Sequence, residues 1–237
     1  MKKDFIDTND FSAKELLDMI QLSLSIKDAI RGGYYPPLMK NRNLGMIFQQ
    51  SSTRTRVSFE VGMYQLGGHA LFLSSRDLQI GRGEPVEDTA RVLSRYLDGI
   101  MIRTFAQEEV ETLARVGSIP IINGLTDFCH PCQVLADLQT VREYKGRIEG
   151  LNMCYIGDGN NMANSLIVGF LKMGAHVSIA CPKAYQPDAQ VLSFTEQYPG
   201  KFFMTESPAD QIFDEAENRL HAQKAVMVAV MADKKDW

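Results

Sequence analysis

Short apolar runs alternate with longer amphipathic stretches along most of the chain. The short runs predict strands at 44–49, 70–74, 100–103, 119–122, 152–156, 176–180 and 201–204. The stretches between them predict helices at 11–31, 53–66, 87–97, 108–116, 134–143, 162–173 and 187–197, with a further helical segment from residue 215. This alternation is typical of an α/β fold, in which helices cover both faces of a parallel sheet.

The elements fall into two series, separated near Lys145 and Gly146. We therefore predict two doubly wound parallel-sheet domains, at residues 1–146 and 147–210, followed by a C-terminal helical segment at 211–237. The second domain would hold only about 60 residues, whereas an independent domain of this kind needs on the order of 100. It is expected to be incomplete.

Composition narrows the classes of partner. The 237 residues are 45% hydrophobic and 23% charged, which is typical of a globular protein. The net charge of −4 argues against a nucleic-acid partner, so an anion would be held by local groups. The longest apolar run, 225–232, is too short to span a membrane, and no leader pattern follows the first lysines. The expected location is the cytoplasm.

The four cysteines do not suggest a disulfide framework. Cys154 and Cys181 lie in or beside strand-like runs and are expected to be buried and inert. Cys129 and Cys132 flank His130 and Pro131 with the spacing of a redox pair or half a zinc site. Both alternatives are weak, because zinc needs a second pair nearby and a redox dithiol usually opens the first helix of its fold.

The stretch SSTRTR places hydroxyl and guanidinium groups at a helix start. Ser51, Ser52 and Thr53 can cap this helix, whose free amides and dipole favour a phosphate. Arg54 and Arg56 project about 200° apart, so only one should contact a bound anion. The alternative is a capped surface helix with scattered arginines.

The loop 127–138 follows another predicted strand. Pro131 can begin a helix, and His130 and Gln133, three residues apart, can face one ligand. Both are neutral hydrogen-bonding groups that can polarise a carbonyl oxygen without a buried charge. A histidine with a purely structural role is the alternative.

The loop 155–165 contains Gly157 and Gly159 after a strand. Met162 occupies the place of the third glycine of a dinucleotide-binding motif, and no acidic residue follows the next strand. These departures argue against a nicotinamide cofactor. Asn160 and Asn161 remain possible partners for a polar substrate.

Five motifs together resemble the carbamoyltransferase family, and among its members most resemble those that use ornithine. The motifs are STRTR at 52–56, MIRTF at 101–105, HPCQ at 130–133, GDGNN at 157–161 and FDEAENRLHAQKA at 213–225. Their order and spacing match over nearly the whole chain. The resemblance implies that the C-terminal segment packs back on the first domain, and that neither a cofactor nor a metal takes part.

The resemblance also assigns roles to individual residues. The residues implied to hold carbamoyl phosphate are Ser52, Thr53, Arg54, Thr55, Gln79, Arg103, His130, Gln133 and Arg219, of which Arg103, His130 and Gln133 surround its carbonyl and are the implied catalytic groups. Gln79 is implied to reach a neighbouring subunit's site, so the expected assembly is a homotrimer, or a multiple of trimers, with shared sites. Asn161 is implied to contact the amino acid.

The acceptor is less well defined than the donor. The aspartate-using branch has a lysine-bearing loop near Gln79, so LQIG favours ornithine, with citrulline and phosphate as products in arginine metabolism. A putrescine-using relative stays open. So does a catalytically inactive protein that only binds carbamoyl phosphate.

Two acceptor loops that the resemblance implies, DxxxSMG and HCLP, do not occur in the chain. ESPADQ passes directly into IFDEAENRL, as though a block between about 208 and 212 were missing. Either the molecule contains a segment that this sequence omits, or the polypeptide lacks it. The second alternative would leave sheet edges and apolar helix faces uncovered, so we favour the first. An intact mass near 26.6 kDa would contradict it.

Overall fold

Seven strands and seven α-helices alternate along residues 2–206, the part of the chain that this computed structural model describes. The strands are β1 (Asn43–Phe48), β2 (His69–Ser74), β3 (Gly99–Arg103), β4 (Ile121–Leu125), β5 (Asn152–Ile156), β6 (His176–Cys181) and β7 (Phe202–Glu206). The helices are α1 (Ala13–Arg31), α2 (Thr53–Gln65), α3 (Val86–Leu93), α4 (Gln107–Val116), α5 (Pro131–Lys145), α6 (Asn161–Lys172) and α7 (Ala189–Thr195). The α/β class is confirmed, and the predicted segment 211–237 lies outside the described residues.

The first sheet has the order β2-β1-β3-β4, and all its strands are parallel. From β1 the chain crosses to β2 on one side and later to β3 on the other, so the strand order reverses next to β1. Ligands of open α/β sheets bind beyond the carboxyl ends of the strands at such a reversal. The loops that follow β1, β3 and β4 meet there.

The second sheet is smaller, with the order β5-β6-β7 and again only parallel pairs. Its helix-covered face buries Val177, Ile179 and Cys181, whereas the opposite face exposes Cys154, Ile156 and Phe203. The prediction that Cys181 is buried is confirmed. The same prediction for Cys154 is wrong, because alternate side chains of a strand point to opposite faces and Cys154 lies on the open one.

Helices α1, α5 and α6 share one apolar core with the second sheet, while the strands of the first sheet belong to two further apolar clusters. The helix side chains buried in the shared core include Leu16, Ile20, Val134, Leu138, Ile167 and Leu171. Gly169 lets α5 and α6 approach closely, since a Cβ at this position would lie 2.7 Å from a methyl carbon of Val134. Helix α5 is therefore packed tightly against α6. Within residues 2–206 no helix is long and apolar enough to cross a membrane.

Strand β4 begins and ends later than the apolar pattern predicts. Pro120 has no N–H for a sheet ladder, so pairing starts at Ile121. The N-terminal segment then extends the sheet: the amide of Phe5 donates to the carbonyl of Ile121 at 2.8 Å, and the amide of Asn123 donates to the carbonyl of Phe5 at 2.8 Å. Asn123 is buried and its side-chain amide donates to the carbonyl of Ile6 at 3.0 Å. These bonds keep a polar Asn-Gly pair inside the strand.

Candidate functional site

A cavity of about 660 Å³ opens where the ends of β3 and β4 meet the starts of α2 and α5. Its lining residues share this one edge of the first sheet, with one contribution from α6: Ser52, Arg54, Thr55, Ser58, Phe59, Arg103, Gly124, Leu125, His130, Cys132, Gln133, Ala136, Asp137 and Met162. Six of the residues predicted from sequence for carbamoyl phosphate are among them. The cavity lining combines guanidinium, hydroxyl, imidazole and amide groups with the apolar side chains of Phe59, Leu125 and Met162.

Helix α2 starts in the way that its sequence predicts. Ser52 is the N-cap, and its hydroxyl accepts a hydrogen bond from the amide of Thr55 at 3.3 Å. The two neighbouring arginines diverge, as their helical spacing predicts. Arg54 lines the cavity, whereas Arg56 pairs with Glu60 at 3.1 Å and lies 3.8 Å from the centre of the Phe72 ring.

Arg103 is the last residue of β3 and lies at a break in the register between β3 and β4. Its Nε is buried without a hydrogen-bond partner among the described residues. Burial lowers the pKa of Arg103, and the charge of Arg54 lowers it further. Two cationic groups thus converge on the cavity, and the ion pairs found within residues 2–206 include neither.

His130 is the N-cap of α5, directly before Pro131 at the first helical position. Its backbone amide donates to the hydroxyl of Ser165 at 2.7 Å, which fixes the loop against α6. The ring Nδ1 is buried and has no partner in the described part of the chain. Burial, followed by the charge of Arg103, lowers the pKa of His130 to about 4. The imidazole is therefore neutral near pH 7.

Asp137 is a cavity residue that the sequence analysis missed. It lies one turn after Gln133 on α5, and the side-chain amide of Gln133 donates to its carboxylate at 2.9 Å. Burial raises the pKa of Asp137, and the hydrogen bond from Gln133 partly offsets this rise. The spacing of four residues was the signal that could have identified it, because such residues are neighbours on one helix face.

Three predicted site residues in the described part of the chain do not line the cavity. Thr53 is exposed at the first turn of α2, and Gln79 is exposed at the start of a short 3-10 turn. Asn161 donates to the carbonyl of Thr126 at 2.7 Å and so braces the loop before His130. Arg219 lies outside the described residues.

The two cysteines beside His130 do not form a reactive pair. Cys129 is buried and interacts with Ile6, Gln107 and Asn123, while Cys132 donates to the carbonyl of Asn123 at 3.3 Å. Burial raises the pKa of the Cys129 thiol well above its usual range and that of Cys132 to about 12. A redox dithiol needs the opposite shift. Across residues 2–206, no three His, Cys, Asp or Glu side chains are grouped to hold a metal.

Gly159 has a packing role rather than a nucleotide-binding one. A Cβ at this position would lie 2.1 Å from the backbone of Gln186 and Pro187, and its amide donates to the carbonyl of Tyr185 at 2.7 Å. The segment 185–187 therefore covers the loop at the place where a pyrophosphate would approach.

Comparison with protein families gives two adjoining matches. The aspartate/ornithine carbamoyltransferase carbamoyl-P binding domain matches residues 3–143, and the Asp/Orn binding domain of the same family matches residues 149–206.

Individual relatives agree. An ornithine carbamoyltransferase of Syntrophotalea carbinolica is 58% identical over 81% of this chain and 64% of its own length. One from Pelobacter propionicus is 49% identical over 90% of this chain and 70% of its own. The chain thus spans about two thirds of the length of these curated relatives.

A solved structure with the same architecture is the ornithine carbamoyltransferase from Pyrococcus furiosus. It superposes with a TM-score of 0.83 at 45% identity, covering 86% of this chain and 66% of that one. The family matches, the shared fold and the cavity beside the reversal of strand order in the first sheet agree with one another. This chain belongs to the aspartate/ornithine carbamoyltransferase family.

Proposed function

We propose that the protein transfers the carbamoyl group of carbamoyl phosphate to the side-chain amine of L-ornithine, giving citrulline and phosphate. The observation that carries this proposal is the convergence of Arg54, Arg103 and the start of α2 on a cavity that also holds a neutral histidine. In the proposed division of labour, residues 1–146 hold the donor and residues 147–210 contribute to the acceptor site.

The phosphate half of the donor fits the cationic side of the cavity. Two guanidinium groups can each give charge-assisted hydrogen bonds to phosphate oxygens, and the free amides of the first turn of α2 add their dipole. The unpartnered Nε of Arg103 would gain an acceptor from the bound anion. The same groups stabilise phosphate as it leaves, because its charge grows when the bond to carbon breaks.

The carbonyl half fits the neutral side. His130 and the hydroxyl of Thr55 can donate to the carbonyl oxygen, provided that the imidazole carries its proton on the nitrogen facing the ligand. The neutral amine of the acceptor attacks the carbonyl carbon and forms a C–N bond. The C–O bond to phosphate then breaks and its electron pair leaves with the phosphate. The amine nitrogen loses one proton, which the departing phosphate takes up. Orientation of the two substrates supplies much of the rate.

Ornithine is favoured as acceptor by the names of the relatives and by LQIG near Gln79. Asn161 donates through its side-chain NH₂ to the carbonyl of Thr126, and its side-chain carbonyl oxygen is proposed to accept from the amino group of the acceptor. Exposed Gln79 is proposed to complete the site of a neighbouring subunit in a homotrimer, and the protein is proposed to act in arginine metabolism in the cytoplasm. Arg219 is proposed to return to the same ligand.

Parallel assays with ornithine, putrescine and aspartate test the proposal. We expect citrulline from ornithine and little product from the other two. A preference for putrescine or aspartate would contradict the assigned acceptor. Binding of carbamoyl phosphate without product from any of the three amines would favour the alternative of a protein that only binds the donor. Intact-mass measurement of the same sample shows which polypeptide was assayed.

A further inference from the structure

Gln133 and Asp137 form a hydrogen-bonded pair on the wall of the cavity. They are four residues apart on α5, both side chains line the cavity, and Nε2 of Gln133 lies 2.9 Å from Oδ1 of Asp137. Asp137 belongs to none of the ion pairs within residues 2–206. In the described structure the carboxylate of Asp137 is thus held by a hydrogen bond from Gln133 and not by an ion pair.

The chemistry of the pair fixes the direction of the amide. An ionised carboxylate can only accept hydrogen bonds, whereas a primary amide has a donor end and an acceptor end. Asp137 consequently holds the NH₂ group of Gln133, and the carbonyl oxygen Oε1 is left for a partner in the cavity. Without Asp137 the amide could turn over and offer its NH₂ group instead.

This direction gives Gln133 a task different from that of its neighbours. Arg54, Arg103 and Thr55 offer donors to the cavity, and these suit phosphate and carbonyl oxygens. An acceptor beside them suits an N–H group attached to the same carbonyl carbon. An acyl phosphate with a methyl group in that place would leave Oε1 without a partner.

We infer that Asp137 is a positioning residue that makes the site selective for a carbamoyl group over other acyl groups, by holding the carbonyl oxygen of Gln133 toward the substrate's NH₂. The inference rests on the proposed function, since it concerns the donor that this function uses. Asp137 does not touch the substrate itself.

Equilibrium binding of carbamoyl phosphate, acetyl phosphate and inorganic phosphate to the 237-residue chain tests this inference. The first two ligands share the phosphate and the carbonyl and differ in NH₂ against CH₃. In Asp137→Asn the preference for carbamoyl over acetyl phosphate should fall about tenfold, because an asparagine amide can donate to Gln133 and turn its acceptor away. Loss of the negative charge affects all three anions alike, so the ratio of the two Kd values is the readout.

A second variant restores the arrangement with the charge moved by one turn. In Gln133→Glu combined with Asp137→Asn, one oxygen of the new carboxylate accepts from the new amide, and the other faces the cavity as an acceptor. The preference for carbamoyl over acetyl phosphate should return, even if both ligands bind more weakly beside the relocated charge. Glu143→Gln, on the same helix but paired with Lys27, is the matched control and should leave the ratio unchanged.

The outcomes separate the two claims. If the unmodified chain binds carbamoyl phosphate and Asp137→Asn keeps the original ratio, the inference is overturned while the proposed function stands. If the ratio falls in Asp137→Asn but the double variant does not restore it, Asp137 supports the structure only and the inference is also overturned. If the unmodified chain binds no carbamoyl phosphate, the proposed function fails and the inference with it.

Discussion

The guanidinium groups of Arg54 and Arg103 face one cavity, and burial, followed by the charge of Arg54, lowers the pKa of Arg103. They come from different elements, the first turn of α2 and the last residue of β3. Like charges held this way destabilise the empty site, and a dianion between them relieves the repulsion. Their arrangement supports the proposal that the cavity binds a doubly charged anion.

Replacing Arg54 should weaken anion binding, whereas replacing Arg56 should not. Arg54→Gln removes a charge-assisted contact worth about 1.5–3 kcal/mol, which corresponds to a loss of roughly 10- to 150-fold in affinity for carbamoyl phosphate or phosphate. Arg56→Gln is the matched control, because its partners are Glu60 and the ring of Phe72. Isothermal titration calorimetry measures both. Equal losses in the two variants would show that general charge, and not the cavity, holds the anion.

Phosphate should also stabilise the fold. A ligand that binds only the folded state at about 100 times its Kd raises the free energy of unfolding by about 2.7 kcal/mol. Thermal unfolding in phosphate, compared with chloride at equal ionic strength, measures this effect, which should be much smaller in Arg54→Gln. If chloride at the same ionic strength raised the Tm as much as phosphate does, the effect would be due to charge screening and not to binding in the cavity.

Most elements could be predicted from the sequence because their apolar periodicity is local. The errors lie where distant contacts decide the outcome. Strand β4 runs through Asn123 and Gly124 because Phe5, more than 100 residues away, supplies a ladder partner there. The start and end of α2, by contrast, follow from Ser52 as cap and from Gly67, whose positive φ of 79° ends the helix.

The site shows the same division. The divergence of Arg54 and Arg56 follows from helical geometry alone. The pairing of Gln133 with Asp137 could have been predicted in the same way, from their spacing on one helix. The neutral state of His130 could not be predicted, since it arises from burial and from the charge of Arg103 at the end of β3. The exposure of Cys154 depends on which face of the second sheet is covered, which no local pattern records.

His130 should titrate far below the ordinary histidine value. Its pKa is lowered to about 4 from 6.5, so between these values the unfolded chain takes up a proton that the folded chain does not. The contribution of His130 to folding stability is therefore complete above about pH 6.5 and falls as pH decreases toward 4. NMR titration of the ring, assigned with His130→Gln, gives the pKa. Urea unfolding at several pH values should show a shallower loss of stability on acidification in the variant.

A midpoint near 6.5 for this ring in the ligand-free chain would contradict the burial of its Nδ1. A variant with the same pH dependence of stability as the unmodified chain would contradict that burial as well.

The cysteines should differ in reactivity toward a thiol reagent under native conditions. Cys154 is exposed and should react first, while Cys129 is buried and Cys132 has a pKa raised to about 12, so both should react slowly. Cys154→Ser should remove the fast phase of a colorimetric thiol assay.

In the transferase assay His130→Ala should abolish turnover and Cys129→Ser should not. The reverse result would revive the redox interpretation of this loop.

Asn164 should be a larger source of stability than its size suggests. It is buried at the start of α6, where its side chain donates to the carbonyl of Phe128 at 2.9 Å and accepts from the amide of Asp188 at 3.0 Å. Asn164→Ala leaves both backbone groups without these partners, and each loss costs about 1–3 kcal/mol. We expect the free energy of unfolding to fall by about 2–6 kcal/mol in denaturant titrations. Asn152→Ala, at an exposed position on β5, is the control and should change it by less than about 0.5 kcal/mol.

Because Phe128 lies two residues before His130, the same change should loosen the loop that positions the imidazole. Asn164→Ala should therefore raise the hydrogen-exchange rate of amides in the loop 126–130 more than that of amides in β1. If the variant is as stable as the control and the loop keeps its protection, water must replace both hydrogen bonds, and α6 would then not be what holds His130 in place.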